Sequence, residues 1–184
     1  IAEKKQFKFE GIKEGKINIL FAGRIVEQKG ISVLSAVINK LNAHVNTFYF
    51  HIVGEGHLKE DLVKELGIFE NVHFYGNVYN LAQYLHSFDF LFMPSVHEGL
   101  SMLSIESSFA KLPIIINSCE GLVDTVPNAW PLKVKDNNVD DFVEVFNNIK
   151  NLNRKVLAES AYQFVSDRFG IEQMQNQYIE YYKI

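Results

Sequence analysis

The chain has 184 residues, 47% of them hydrophobic and 15 of them Phe, enough for one domain with a substantial core. A formal net charge of −4 supplies no basic field, which argues against nucleic acid as a partner. The single cysteine, Cys119, excludes an internal disulfide and suits a reducing compartment, and no apolar run reaches the ~18 residues of a membrane span.

Residues 1–15 alternate charged and aromatic side chains without a clear period and read as a lead-in or linker. The apolar run 17–22 is a buried strand, and the loop 23–30 follows it. Helical spacing of Ile31, Val33, Leu34, Val37, Ile38 and Leu41 predicts a helix over 31–41. A second strand spans 48–53 and is ended by Gly54-Glu55-Gly56. A helix over 57–66 carries Leu58, Leu62 and Leu66 on one stripe. Further strands are predicted at 72–75, 89–93 and 113–117, with a sixth at 130–134. A short helix falls at 81–88, and longer ones at 139–149, 154–169 and 171–182, the last rich in Tyr. Strand and helix alternate, and several of the strands are continuous apolar runs. The expected fold is therefore α/β: a Rossmann-like, doubly wound parallel sheet of about six strands with helices on both faces.

The stretch 95–113 organises the rest. A strand leads into it, a polar loop with Glu98 and Gly99 follows, and then a short helix carries Glu106. Such loops lie at the carboxyl end of a strand, where a helix N-terminus can meet an anion. At ~3.6 residues per turn, Glu106 can point back toward the same cleft while Leu103, Ile105 and Phe109 face inward. Arg24 and Lys29 sit in the first loop, between Gly23 and Gly30, and would suit a diphosphate. Read from position alone, they fit more readily as solvated surface cations, which is where most Arg and Lys lie. The loop is neither a G-x-G-x-x-G fingerprint nor a Walker loop. Gly54 and Gly56 could let backbone approach a ligand or could simply make a tight turn. Glu98 and Glu106 could accept hydrogen bonds from vicinal sugar or ribose hydroxyls, or could be exposed acids. A paired-acid glycosidase finds no support in the frame around them. The six His lack metal spacing, and the serines form no nucleophile elbow.

Taken together these pieces resemble the C-terminal, nucleotide-sugar-binding domain of GT-B glycosyltransferases of the group 1 (family 4) type, from about residue 17 to residue 182. Gly23-Arg24 with Lys29-Gly30 looks like that family's G-R-x-x-x-x-K-G loop, and Val53-Gly54-Glu55-Gly56 like its V-G-x-G turn. Val72-His73-Phe74-Tyr75-Gly76 resembles the strand whose following loop, here Asn77 and Val78, meets the base. Pro94-Ser95 with Glu98-Gly99 and Glu106 matches a signature of two glutamates separated by seven residues. Gly121-Leu122-Val123-Asp124 stands where a glycine and then an acidic residue are usual, and 169–182 looks like the closing helix. Leu100-Ser101 replaces an aromatic-glycine pair, and Lys111 and Trp130 each replace a usual glycine. The first two departures bear on the sugar side of the pocket.

The resemblance implies transfer of a sugar from a nucleoside-diphosphate donor to an acceptor, with retention at the anomeric carbon. Arg24 and Lys29 would neutralise the diphosphate, helped by backbone N–H groups of Gly99, Leu100 and Ser101. Glu98 would hold the donor sugar and Glu106 the ribose. No metal or other cofactor is expected. The division implied is a lead-in over 1–15, the donor-binding domain over 16–168 and a closing helix over 169–184. A glycan or lipid-linked acceptor would be met through an N-terminal domain absent from this sequence. The expected setting is cytoplasmic polysaccharide or capsule synthesis, with peripheral contact at the inner membrane face left to the absent half. The alternatives are a UDP-sugar 2-epimerase of the same architecture and a non-catalytic nucleotide-binding module.

Overall fold

A computed structural model describes residues 7–43 and 47–182. Six parallel strands form one sheet in the order β3-β2-β1-β4-β5-β6: β1 (Ile17–Ala22), β2 (Phe48–Val53), β3 (Val72–Tyr75), β4 (Phe90–Met93), β5 (Ile114–Asn117) and β6 (Lys133–Val134). The helices are α1 (Ile31–Asn42), α2 (Lys59–Leu66), α3 (Met102–Phe109), α4 (Val139–Asn148), α5 (Arg154–Phe169) and α6 (Ile171–Tyr182). They lie on both sides of the sheet, as the sequence predicts. β1 pairs with β2 on one side and β4 on the other. From β1 the chain winds outward to β2 and β3; from β4 it winds the opposite way to β5 and β6. The change of direction leaves a crevice at the carboxyl ends of β1 and β4.

The strands are largely apolar on both faces because both faces are covered. On one, Phe48, Phe50 and Phe92 meet Phe142 and Phe146 of α4, with ring centroids 5.0–6.0 Å apart. α3 and α5 pack together on the opposite face. Part of that face, over β2 and β3, is closed by the segment that enters β1. Phe9 is buried there, edge-on to Tyr75 and Phe88 at 4.8 and 4.9 Å. Gly11 lies flat on the His73 ring, where a Cβ would fall 2.3 Å from the imidazole. The lead-in therefore belongs to this core from residue 9 onward, although it has no period of its own; residues 1–6 lie outside those described.

Other boundaries shift for local reasons. The segment predicted as a helix at 81–88 is a 3-10 turn, Leu81–Ser87. β6 is two residues long, not five, because Trp130 turns into the core and its Nε1–H donates to the Ile114 carbonyl at 2.8 Å. Phe109 does not face inward: it is 40% exposed, with its ring edge-on to Tyr162. The buried positions of α3 are Ser104, Ile105, Ser107 and Ser108. Lys111 adopts a left-handed conformation (φ 56°), which explains why glycine suits this position. It lies between α3 and β5, at the amino edge of the sheet, and pairs with Glu159. Its substitution for glycine therefore does not touch the carboxyl-end crevice.

A polar chain runs through the contact that the lead-in, a strap across the sheet, makes with β1, β2 and β3. Asn18 Nδ2 donates to the Lys13 carbonyl, which fixes Asn18 Oδ1 as an acceptor. Oδ1 accepts from Lys13 N–H at 3.0 Å and from His51 Nε2 at 3.1 Å. His51 is thus the neutral Nε2–H tautomer, with Nδ1 accepting from the Tyr75 hydroxyl at 3.3 Å. The same hydroxyl accepts from Gly11 N–H at 3.2 Å. Burial first, and the neighbouring His73 second, push the His51 pKa down to about 3. An unfolded histidine titrates near ~6.5. Between those values the unfolded chain takes up a proton that the fold refuses, so stability is complete above ~6.5 and falls toward pH 3, by up to ~1.4 kcal/mol per unit. Urea unfolding from about pH 7 to about pH 4 should show a shallower loss in His51→Gln, which keeps a donor and an acceptor, than in the parent chain. Equal slopes would remove His51 from the acid sensitivity.

Candidate functional site

The loops after β1 and β2 extend the pairing of their strands. Gly23 N–H donates to the Val53 carbonyl and Ile25 N–H to the Glu55 carbonyl, at 3.0 and 2.8 Å. This contact accounts for the paired glycines of the second loop. A Cβ on Gly54 would lie 1.9 Å from the Gly23 carbonyl oxygen, and one on Gly56 would lie 2.2 Å from that of Ile25. Their requirement is backbone packing between two loops.

The loop after β1 tightens into a 3-10 turn (Glu27–Lys29) that ends at Gly30, whose φ of 70° starts α1. Gly30 abuts the end of β4: a Cβ there would stand 1.8 Å from the Pro94 carbonyl oxygen. Val96 N–H donates to the Gln28 carbonyl at 2.9 Å, and Gln28 Nε2 to the His97 carbonyl at 3.1 Å. Two loops distant in sequence are thus tied together over the β1–β4 crevice.

That tie delivers Lys29 to Glu98. Lys29 Nζ lies 2.6 Å from Glu98 Oε1, with the two side chains 19% and 9% exposed. The same oxygen accepts from Ser95 Oγ at 2.8 Å. Ser95 is buried, and its carbonyl accepts from Asn117 Nδ2, at the end of β5, at 2.9 Å. The loop after β5 presses from the other side: Gly121, at φ 80°, sits where a Cβ would be 1.8 Å from the Gly99 carbonyl oxygen. Cys119 lies nearby, its thiol pKa raised by burial and then by the Glu98 charge. Gly99 and Leu100 are exposed, and Ser101 caps α3 by accepting from Ser104 N–H at 3.5 Å. The first turn of α3 therefore turns its unpaired amide edge toward the loop.

Arg24 is exposed on the near side, with Nη2 3.4 Å from Gln28 Oε1. It borders a cleft of about 270 Å³ that is also lined by Gly23, Gly54, Glu55, Asn77, Val78 and Leu103. The methylenes of Lys29 pass 3.8 Å from the Cβ position of Gly23, so the cleft and the ion pair share a wall. Gly76 lies behind Glu55. Glu106 is exposed on α3, three residues beyond Leu103 and so on the same side of the helix, but it touches neither the ion pair nor Arg24. A larger hollow of about 520 Å³ lies between β6 and α4. It is remote from the strand ends that gather these groups.

The structure thus brings Lys29 and Glu98 into contact, places Arg24 with Gly23, Gly54, Asn77 and Val78 around one cleft, and leaves Glu106 exposed on α3 outside the residues that line it. Three contributors had no role assigned from sequence. Gln28 stood unremarked between the two cations, Ser95 was only part of a motif, and Glu55 was only the middle of a turn. Each becomes visible once the loops after β1, β2 and β4 are known to touch.

Solved structures with this fold are GT-B glycosyltransferases. A mutant of Staphylococcus aureus TarM, solved with fondaparinux, α-GlcNAc-glycerol and UDP, matches with a TM-score of 0.78 at 21% identity, over 92% of this chain and 36% of that one. Anabaena HepE in complex with UDP-glucose matches with a TM-score of 0.75 at 17% identity, over 91% and 48%. The model of the family "Glycosyl transferases group 1" matches residues 2–164, and the chain belongs to that family. An uncharacterised 41.2 kDa protein of the Klebsiella pneumoniae cps region is 31% identical over 94% of this chain and 48% of its own length. The Escherichia coli O-antigen biosynthesis glycosyltransferase WbnH is 28% identical over 91% and 54%. The chain thus spans about half the length of the curated relatives it matches.

The junction of the two loops is sensitive to one methyl group. Gly30→Ala combines a left-handed conformation with a clash against Pro94 and should cost at least ~2 kcal/mol in denaturant unfolding. A loss below ~0.5 kcal/mol would mean that the loops are not held as described.

Proposed function

We propose that this chain is the donor-binding half of a retaining glycosyltransferase, which takes a sugar from a nucleoside-diphosphate carrier to an acceptor in polysaccharide or glycoconjugate assembly. The observation that carries the reading is the meeting of Lys29 and Glu98 over the β1–β4 crevice, beside the Arg24 cleft. Membership of the group 1 family, together with O-antigen and cps-region relatives, supports the activity class and the setting. UDP and UDP-glucose in the TarM and HepE complexes support a nucleotide-sugar as ligand. The same family match counts against a 2-epimerase.

In this reading Gly54, Gly56, Gly76, Asn77 and Val78 frame the nucleoside, and Glu106 accepts from the ribose hydroxyls. Arg24 and Lys29 bind the diphosphate. Negative charge grows on its oxygen as the anomeric bond breaks, and fixed cations stabilise that change without reorganisation. The amides of Gly99, Leu100 and Ser101 add the positive end of α3. Charge neutralisation is assigned to these groups rather than to a metal. Glu98 orients the sugar through its hydroxyls. The acceptor, a glycan or a lipid-linked glycan, enters from the part of the longer protein outside this chain, so this chain alone binds the nucleotide without turnover.

Titration calorimetry with UDP, and with GDP and ADP as comparators, tests the assignment. Arg24→Ala and Lys29→Ala should each weaken the preferred nucleotide about ten- to a hundredfold, as expected for a lost charge-assisted hydrogen bond of ~1.5–3 kcal/mol. Glu106→Ala should weaken it less. Unchanged affinity in Arg24→Ala would overturn the diphosphate assignment.

A further inference from the structure

Glu98 holds a position that does more than await a sugar. Both of its recorded partners, Lys29 Nζ and Ser95 Oγ, converge on one oxygen, Oε1, in a place where neither acid nor base is well hydrated. Lys29 is also the cation that the donor-site reading gives to the diphosphate. A bare nucleoside diphosphate entering the cleft therefore meets two penalties. It must draw Lys29 from an anion already seated on it, and it must settle near a carboxylate of its own sign in poorly screened surroundings. A nucleotide-sugar meets the same two penalties but brings hydroxyl donors that give Glu98 new partners as Lys29 turns away.

We propose that Glu98 is a discriminator: it selects the nucleotide-sugar over the bare nucleoside diphosphate by sequestering Lys29 until sugar hydroxyls replace it. Ser95 is its positioning residue. It is buried, its backbone is fixed by Asn117, and its hydroxyl is the partner that remains on Oε1 when Lys29 leaves. This inference rests on the donor-site reading and adds a consequence to it. The spent nucleotide, stripped of its sugar, loses the groups that compensate Glu98 and is held more weakly than the donor. Specificity of this kind comes from an interaction set against the wrong ligand.

The test is calorimetry on this chain with UDP and UDP-glucose as probes. Glu98→Gln should bind UDP about three- to tenfold more tightly than the parent, a gain of up to ~1.4 kcal/mol, and should lose preference for UDP-glucose over UDP. The gain should shrink in a Lys29→Met background, where there is no cation to release. Ser95→Ala should lower the UDP-glucose to UDP affinity ratio, Ser95→Thr should restore it, and this arm carries the test if Glu98→Gln fails to fold. UDP affinity that is unchanged or weaker in folded Glu98→Gln, while still dependent on Arg24, would overturn the discriminator and leave the donor site standing. A parent chain that binds none of UDP, GDP or ADP at millimolar concentration would remove the donor-site reading and this inference with it.

Discussion

The pairing of Lys29 with Glu98 depends on how the sheet is wound. The two residues are 69 positions apart, on loops that follow adjacent parallel strands. Because the chain leaves β1 and β4 in opposite directions, neither connection crosses the gap between them, and the loop ends can meet only there. The fold then removes the remaining freedom. Gly30 lets the start of α1 touch the Pro94 carbonyl, Gln28 bridges to His97, and Gly121 braces the Gly99 carbonyl from the far side. The charged groups occupy the centre of a ring of backbone contacts, so the positions from which the two side chains reach each other are set by the sheet. That is the form of preorganisation a charge-stabilising site requires.

Much of this architecture was legible in the linear chain. Continuous apolar runs such as Phe90–Met93 marked strands buried on both faces, and the bounds of α5 fell where the capping Asn153 and the terminal Gly170 put them. The legible elements are those whose stability is local, through period, caps or a run of β-branched and aromatic residues. The parts that could not be read depend on partners far away in sequence. Trp130 shortens β6 because its indole finds the Ile114 carbonyl. α3 buries serines rather than Phe109: Ser104 meets Thr125 at 2.5 Å, and small side chains allow the helix to lie close to its neighbours. In the site, the cations and acids could be named from residue type and order, but Gln28, Ser95 and Glu55 required knowledge of which loops touch.

The segment before β1 shows the same limit. Its sequence has no periodicity because it forms no regular element; it serves as a cover. β2 and β3 carry His51, His73 and Tyr75 on the part of the sheet face which the strap covers. Phe9 and the bare backbone of Gly11 close that face, while Asn18, His51 and Tyr75 supply fixed donors and acceptors to the strap. A buried polar chain of this kind is favourable only when each member is satisfied. Keeping His51 neutral is one condition, and it links the attachment of the strap to pH. Since β3 also leads into Asn77 and Val78, the strap supports one wall of the cleft from behind.

The chain therefore combines a rigid floor with a partial enclosure. Strand ends, glycine contacts and the α3 N-terminus fix the groups around the crevice, yet Arg24, Glu106, Gly99 and Leu100 remain exposed. Fixed charge left facing water is heavily screened, and the same groups act more strongly once water is displaced. On the proposed reading, a half-length chain thus holds the geometry of a donor site without its full electrostatic strength. On the proposed donor-site reading, a second surface closing over the crevice in a longer protein would strengthen the pull of Arg24 and Lys29 on the diphosphate. It would strengthen the opposition from Glu98 by the same dielectric argument. Closure would then sharpen the difference between a ligand that satisfies Glu98 and one that does not, so selectivity and catalytic strength would rise together as water leaves.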